Sequence, residues 1–450
     1  MSILETAASR RRPGLAGAAC LVLCLAAAFA APCAAGQPAP AAEGGAAGAA
    51  GDVRPEALSL ADAQAAVAAG SRSLEAARLA LEAARGALDS ASRKPNPTLS
   101  LGTGTAQQGA YSPRDLDAYA RLEQLIERGN KRALRTEAAS RTVQAAQLDL
   151  EDTLRQLRLA LARAYYALKS AQDGVAFAER DAQSLARSLD AARRRLRAGD
   201  IARADVARIE VEAGQADNAL RFALAQREAA RLALARVMAR EADAVRFVAA
   251  DDWPGLDAGE PAPERLMAAV ERRPDVLAAA QRLAAAQARF DEARAQRTRD
   301  VSVGLFADRN RLGNGGTTFG VSVTVPLFVN NDLSGDIRQA EAQLDGARVA
   351  LEQARADALL ELRAARVRAA ASADRLARIE RQIMPSAEEA ARATEFAYER
   401  GALPLTDLLD ARRRLQASAR DLAEARVDHA IARAELEASL SEAGAEPARR

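Results

Sequence analysis

Asp407 and Asp410 stand three residues apart in "GALPLTDLLDARRR", residues 401–414. Asp205 has a related setting in "AGDIARADVARIE", residues 198–210. Asp205 follows Gly199 by six residues, and Asp407 follows Gly401 by six. Carboxylates so placed could serve acid–base catalysis, metal ligation or plain electrostatics. Catalysis needs partners, and the chain offers no convincing Ser/His/Asp grouping and no Gly-rich phosphate loop. His429, the only histidine, lies in "EARVDHAIARAEL" and reads as a helix-face residue. No catalytic residue, and no enzyme, is expected. Ligation fares no better. Cys20, Cys24 and Cys33 all fall within the first 36 residues, and Met238, Met267 and Met384 are scattered. No tight zinc or copper site and no cofactor is expected. Electrostatics remains. Acids one turn apart near a helix start complement the positive end of the helix dipole or cap it.

The elements that must position these acids are unusual. The chain has 450 residues, 3% aromatics, abundant alanine and a net charge of +2. That charge gives no field for gathering phosphates, so nucleic acid is not an expected partner. Residues 1–36 read as a signal peptide: Arg10–Arg12 are basic, "LAGAACLVLCLAAAFAA" is apolar, and Ala34, Ala35 and Gly36 are small. Cleavage there leaves a mature chain without cysteine. The alternative is a lipid-modified Cys33, which Pro32 does not suit. Residues 37–56 read as a flexible low-complexity leader. No later run approaches 18 apolar residues, the length a spanning helix needs.

The mature chain reads as two copies of one plan. "LSLG" at 99–102 aligns with "VSVG" at 301–304. At the same offset, Gly199, Ile201, Asp205 and Val206 align with Gly401, Leu403, Asp407 and Leu408. The first repeat is expected over 57–256 and the second over 257–445, meeting near "DDWPGLDAGEPAP". Each reads helix, strand, strand, very long helix, helix. From Leu154 through Leu161, Leu168, Val175, Leu185 and Ala192 to Leu196, apolar residues keep a 3-4 spacing, which is a heptad seam. A helix over 131–198 would run roughly 100 Å at about 1.5 Å per residue.

Strands are expected at 98–105 and 116–126, and at 300–307 and 317–328. In the last, Phe319, Val321, Val323, Val325 and Leu327 alternate with Thr318, Gly320, Ser322 and Thr324. That period of two gives one apolar and one polar face. The lengths suit a tilted transmembrane strand of about 9–11 residues, but also a soluble ribbon. Four strands cannot close a barrel, and hydrocarbon tolerates no open edge. Either the sheet lies outside a membrane or several copies share one barrel; three would supply twelve strands.

Taken together, these segments resemble the outer-membrane factor (TolC-like) family over about 58–442. "RRPDVLAAAQRLAAAQARFDEARA", 272–295, resembles its helix entering the second strand pair. "MPSAEEAARATEFAYERGALPLTDLLDAR", 384–412, resembles its helix, glycine turn and returning helix. "LEQLIERGNKRALR", 122–135, resembles the Gly-Gly-Lys-Arg stretch of the CzcC-like heavy-metal efflux subfamily, at Gly129, Lys131 and Arg132, with Asn130 in place of the second glycine. The resemblance implies a mainly α fold with a small β part. It implies a homotrimer whose four transmembrane strands per chain form an outer-membrane barrel, continued as a helical tunnel in the periplasm. Implied partners are outer-membrane lipid, a periplasmic adaptor and an inner-membrane pump of the RND type. The implied function is passive exit of divalent cobalt, zinc or cadmium. A drug-efflux channel of the same family is the alternative. So is a soluble periplasmic coiled-coil adaptor, which would carry one strand-bearing domain. In the family, acids matching Asp407 and Asp410 line the periplasmic entrance, with Asp205 as the first-copy counterpart. Gly199 and Gly401 are the turns between tunnel helices. Threefold symmetry would repeat each acid as a ring that favours cations.

Overall fold

The computed structural model describes residues 55–104, 117–256, 263–309 and 316–443. The expected signal peptide, the leader up to residue 54, and strand-end residues 105 and 116 lie outside the described residues. In chain order the elements are β1 (Glu56–Leu58), α1 (Leu60–Gly70), α2 (Arg72–Ser92), β2 (Thr98–Gly104), β3 (Asp117–Ile126), α3 (Lys131–Ala198) and α4 (Arg203–Met238). Then come β4 (Phe247–Ala249), α5 (Pro263–Arg272), α6 (Pro274–Ala295), β5 (Val301–Arg309), β6 (Thr317–Thr324), α7 (Ser334–Arg378), α8 (Met384–Glu399) and α9 (Leu405–Ser439).

The heptad seam decides α3. Its 68 residues bury Leu161, Leu168 and Val175 at one heptad position and Ala178, Leu185 and Ala192 at another. α4 returns along it from the tip. Between α7 and α8 the helix widens for one π turn over Ile379–Ile383, where the Met384 N–H reaches back to the Ile379 carbonyl. Pro385 follows and supplies no donor, which is a physical reason for the break in the ladder. No helix of the described residues is long and apolar enough to cross a membrane.

The four expected strands join in one antiparallel sheet of order β2-β3-β5-β6. α2 packs on α3, α3 on α6 and α6 on α7. The wall is thus four lanes, each a helix continued by a strand, in the same order at both levels. The register sorts the side chains. Leu99, Leu122, Leu305 and Val321 line up across the strands on one face. Ser100, Arg121, Glu123, Ser302, Asp308 and Ser322 fall on the other. The last strand stops at Thr324, short of the expected 328. Pro326 has no N–H to give a ladder, which explains the early end.

A belt surrounds the middle of α3. Glu56, the last residue of the expected leader, instead opens the strand Glu56–Leu58, which pairs in parallel with Phe247–Ala249. Tyr165 anchors this belt. Its hydroxyl donates to the Leu58 carbonyl at 2.9 Å and accepts from the Asp251 N–H at 3.0 Å. Burial pushes its pKa up to about 12. Nearby, Tyr166 stacks on Trp253, whose indole N–H donates to Asp173 at 2.8 Å.

The "RRPD" segment nails α6 to α7. Pro274 opens α6, where its missing N–H costs nothing. Arg273 is 1% exposed and pairs with Asp275 at 2.5 Å and Glu361 at 2.9 Å. Burial alone would raise the Asp275 carboxyl, but Arg273's hydrogen bond and charge hold it below the usual carboxylate range.

Replacing Tyr165 by Phe leaves the part-buried Asp251 N–H without its partner, while the Leu58 carbonyl keeps its bond from the Ala250 N–H at 3.0 Å. We expect a loss of about 1–3 kcal/mol in urea unfolding, the cost of an unsatisfied buried group. An unchanged unfolding midpoint would show that the belt does not depend on this hydroxyl.

Candidate functional site

The two glycine turns have the same construction. Gly199 closes α3 with φ 84°, and Gly401 follows α8 with φ 74°. In the first, the Gly199 N–H bonds the Leu196 carbonyl and the Asp200 N–H bonds the Arg195 carbonyl. In the second, Gly401 bonds Tyr398 and Ala402 bonds Ala397. These are paired Schellman closures, and glycine meets their left-handed conformation without a Cβ clash. Each returning helix then starts four residues past its glycine, after Ala202 or Pro404 in extended conformation.

Asp205 and Asp407 are therefore third residues of their helices, not caps. Neither N-cap residue makes a side-chain capping bond. The capping alternative is thus set aside for Asp407, while the dipole effect remains. The two turns meet in one apolar cluster: Val206 and Ile209 of α4 pack with Leu405, Leu408 and Leu409 of α9 and with Ala192 of α3. This brings the helix starts that carry Asp205 and Asp407 together.

The three acids differ in company. Asp410 is paired with Arg414 at 3.0 Å, and Asp205 with Arg208 at 3.7 Å. Asp407 is exposed and touches only the Thr406 hydroxyl, at 3.4 Å. It has no cationic partner among the described residues. Of the three acids it is the one with no ion pair among the described residues.

A polar strip just above the turns escaped the sequence reading. Arg412 of α9 is 9% exposed, and one of its nitrogens donates to Ser184 at 2.8 Å, Ser188 at 3.4 Å and Glu395 at 2.7 Å. One turn on, Gln416 donates to Asp181 at 2.6 Å. Burial pushes the Asp181 carboxyl up, opposed by that hydrogen bond. Arg413 also pairs with Glu212 of α4. The strip ties α9 to α3, α4 and α8. Its signal was available: Leu405, Leu408 and Arg412 keep the 3-4 spacing of a buried face. His429 is buried at 3%, with its Nε2 3.4 Å from the Gly255 carbonyl, inside the helical packing.

Gly129, Lys131 and Arg132 lie at the opposite end of α3. Gly129 and Asn130 are both left-handed, with φ 72° and 62°. Asn tolerates that region better than most residues, so its replacement of glycine keeps the backbone path. Lys131 is buried and pairs with Asp300 at 2.9 Å, joining the start of α3 to the foot of β5. Arg132 is exposed. No group of three or more metal-ligating side chains occurs among the described residues. A Cβ added at Gly129 would lie 2.7 Å from the Thr298 Cβ. Gly129→Ala should therefore cost about 1–2 kcal/mol for the backbone alone, with more for displacing Thr298. A clear drop in thermal midpoint checks this; no drop would refute the close approach.

Comparison with known proteins fits this geometry. The family described as outer membrane efflux protein matches residues 63–240 and 266–442. The cobalt-zinc-cadmium resistance protein CzcC of Cupriavidus metallidurans is 31% identical over 329 residues, 71% of this chain and 75% of that protein. The solved outer-membrane channel OprN shares the fold, with TM-score 0.74 at 23% identity over 85% of this chain and 89% of that one. So does VceC of Vibrio cholerae, with TM-score 0.71 at 20% identity over 85% and 96%. The chain belongs to the outer membrane efflux protein family.

Proposed function

We propose that three copies of this chain form the outer-membrane exit duct of a tripartite efflux system. The observation that carries this is the four-lane wall. Its sheet has an apolar and a polar face, and it is open along β2 and β6. An open edge in hydrocarbon leaves N–H and C=O groups without partners, at several kcal/mol each by order of magnitude. Copies joined β6 to β2 satisfy every edge, and three give a twelve-stranded barrel over a helical tunnel. The two halves act as copies of one unit, supported by the matched turns at Gly199 and Gly401. Members of this family are efflux channels, not enzymes, so the chain conducts and does not transform.

The cargo we assign is divalent metal cations, delivered by a periplasmic adaptor and an RND-type pump. The likeness to a cobalt-zinc-cadmium resistance protein supports the cargo. So does an exposed, unneutralised Asp407 at the tip, with Asp410 and Asp205 beside it. Deleting the protein should sensitise cells to Zn²⁺, Cd²⁺ or Co²⁺. Unchanged metal tolerance with new sensitivity to organic compounds would assign it to drug efflux instead.

Three Asp407 carboxylates around a narrow axis would draw cations and be blocked by trivalent ones. Asp407→Asn removes the charge and touches no capping bond, so trimer and fold should persist. In planar-bilayer recordings we expect lower cation selectivity and relief of trivalent block. Wild-type currents and block from the variant would leave Asp407 a dipole-balancing residue only.

A further inference from the structure

The apolar face of the sheet ends in two arginines that form no direct ion pair among the described residues. Ile126 of β3 and Val301 of β5 are the last registered pair toward the helices. One step beyond, Arg128 and Arg299 continue the same alternation, two residues past each strand end. Both are exposed. Like charges side by side across two strands repel, and the nearby acids relieve them little: Arg128's charge acts at a distance on Asp300, whose carboxyl it helps to hold below the usual range. Glu127 is taken by Arg135 at 2.7 Å. Asp300 is taken by Lys131 at 2.9 Å and by the Arg128 backbone N–H at 2.9 Å. Neither Arg128 nor Arg299 has a carboxylate partner among the described residues. The Arg299 guanidinium instead lies 5.7 Å from the centre of the Phe328 ring, beside exposed Leu327. Arg132 adds a third exposed cation at the start of α3.

We propose that Arg128 and Arg299 form a headgroup site for anionic phospholipid in the periplasmic leaflet. The site rests on the reading of the apolar face as the lipid-facing side of the barrel. Its position follows from continuity: acyl chains against Leu122, Leu305, Val303 and Ile126 end in a phosphate level with the two guanidiniums. Arginine suits this role, since its planar fork matches phosphate oxygens and its stem lies along apolar surface. The pair fixes how deep the sheet sits, at the level where strand becomes helix.

The test uses the full-length trimer, purified in mild detergent and stripped of lipid. Phosphatidylglycerol or phosphatidylcholine is added back and bound lipid is read by native mass spectrometry. Wild type should retain phosphatidylglycerol in preference to phosphatidylcholine, and more weakly as salt rises. In Arg128→Gln/Arg299→Gln, phosphatidylglycerol affinity should fall roughly thirtyfold, from the attraction of two basic residues near an anionic surface. The Lys pair at these positions should retain most of it. Equal binding of both lipids by wild type, salt-insensitive binding, or an unchanged Gln variant would overturn the site. If the Gln pair disturbs assembly, the wild-type lipid preference and salt response still decide the matter. Absence of the chain from the outer-membrane fraction would instead remove the barrel reading beneath it.

Discussion

Each lane of the wall changes from a helix to a strand and must keep its apolar and polar residues sorted to the two sides of the wall across the change. A helix repeats near 3.6 residues and a strand at two, so the switch cannot be left to a loose loop. Here the change is made under tight control. Gly129 and Asn130 turn left-handed, Lys131 is sunk against Asp300, and the Asp300 carboxylate also receives the Arg128 N–H. A buried pair of this kind contributes little net stability, but breaking one side leaves an uncompensated charge. Its value is positional. It holds the foot of β5 and the start of α3 in one register, and the sorting of side chains to the sheet's two faces follows from that register.

The other end of the wall solves a different problem. Two helix pairs must end at the same level and pack through few apolar residues. Identical glycine closures set the turns, and Val206, Ile209, Leu405 and Leu408 fill the space between them. The acids lie on the rim of this cluster. Most have their own arginine within one turn, consistent with a surface laced by local pairs that are individually weak. Asp407 departs from that pattern: it has no ion pair among the described residues, whereas Asp410 has Arg414.

Much of this was legible in the sequence. α3 was readable to its ends, because a heptad seam is long-range periodic information and Gly199 stops it. The strands were readable from alternation, although Val325 and Leu327 continue the alternation past the point where Pro326 ends the ladder. Charged residues were the blind spot. Arg412, Arg273 and Lys131 sit in charge-rich runs that look solvent-facing, yet all three are buried. Only Arg412 is marked within its own run, by its spacing from Leu405 and Leu408; for Arg273 and Lys131 nothing nearby does so, and the partners Ser184, Glu361 and Asp300 are distant in sequence. The pairing of β1 with β4 was invisible for the same reason, since three residues carry too little pattern to announce a strand.

The π turn at Ile379–Ile383 gives the wall unequal stiffness. α3 is an unbroken strut from the sheet to the tip. The second path down, through α7 and α8, has a joint partway along, where the hydrogen-bond ladder widens and Pro385 withholds a donor. The backbone ladder is therefore continuous along α3 and interrupted along the path through α7 and α8. Of the two hairpins that meet at the tip, only the one containing α8 and α9 is joined to the sheet through such an interruption.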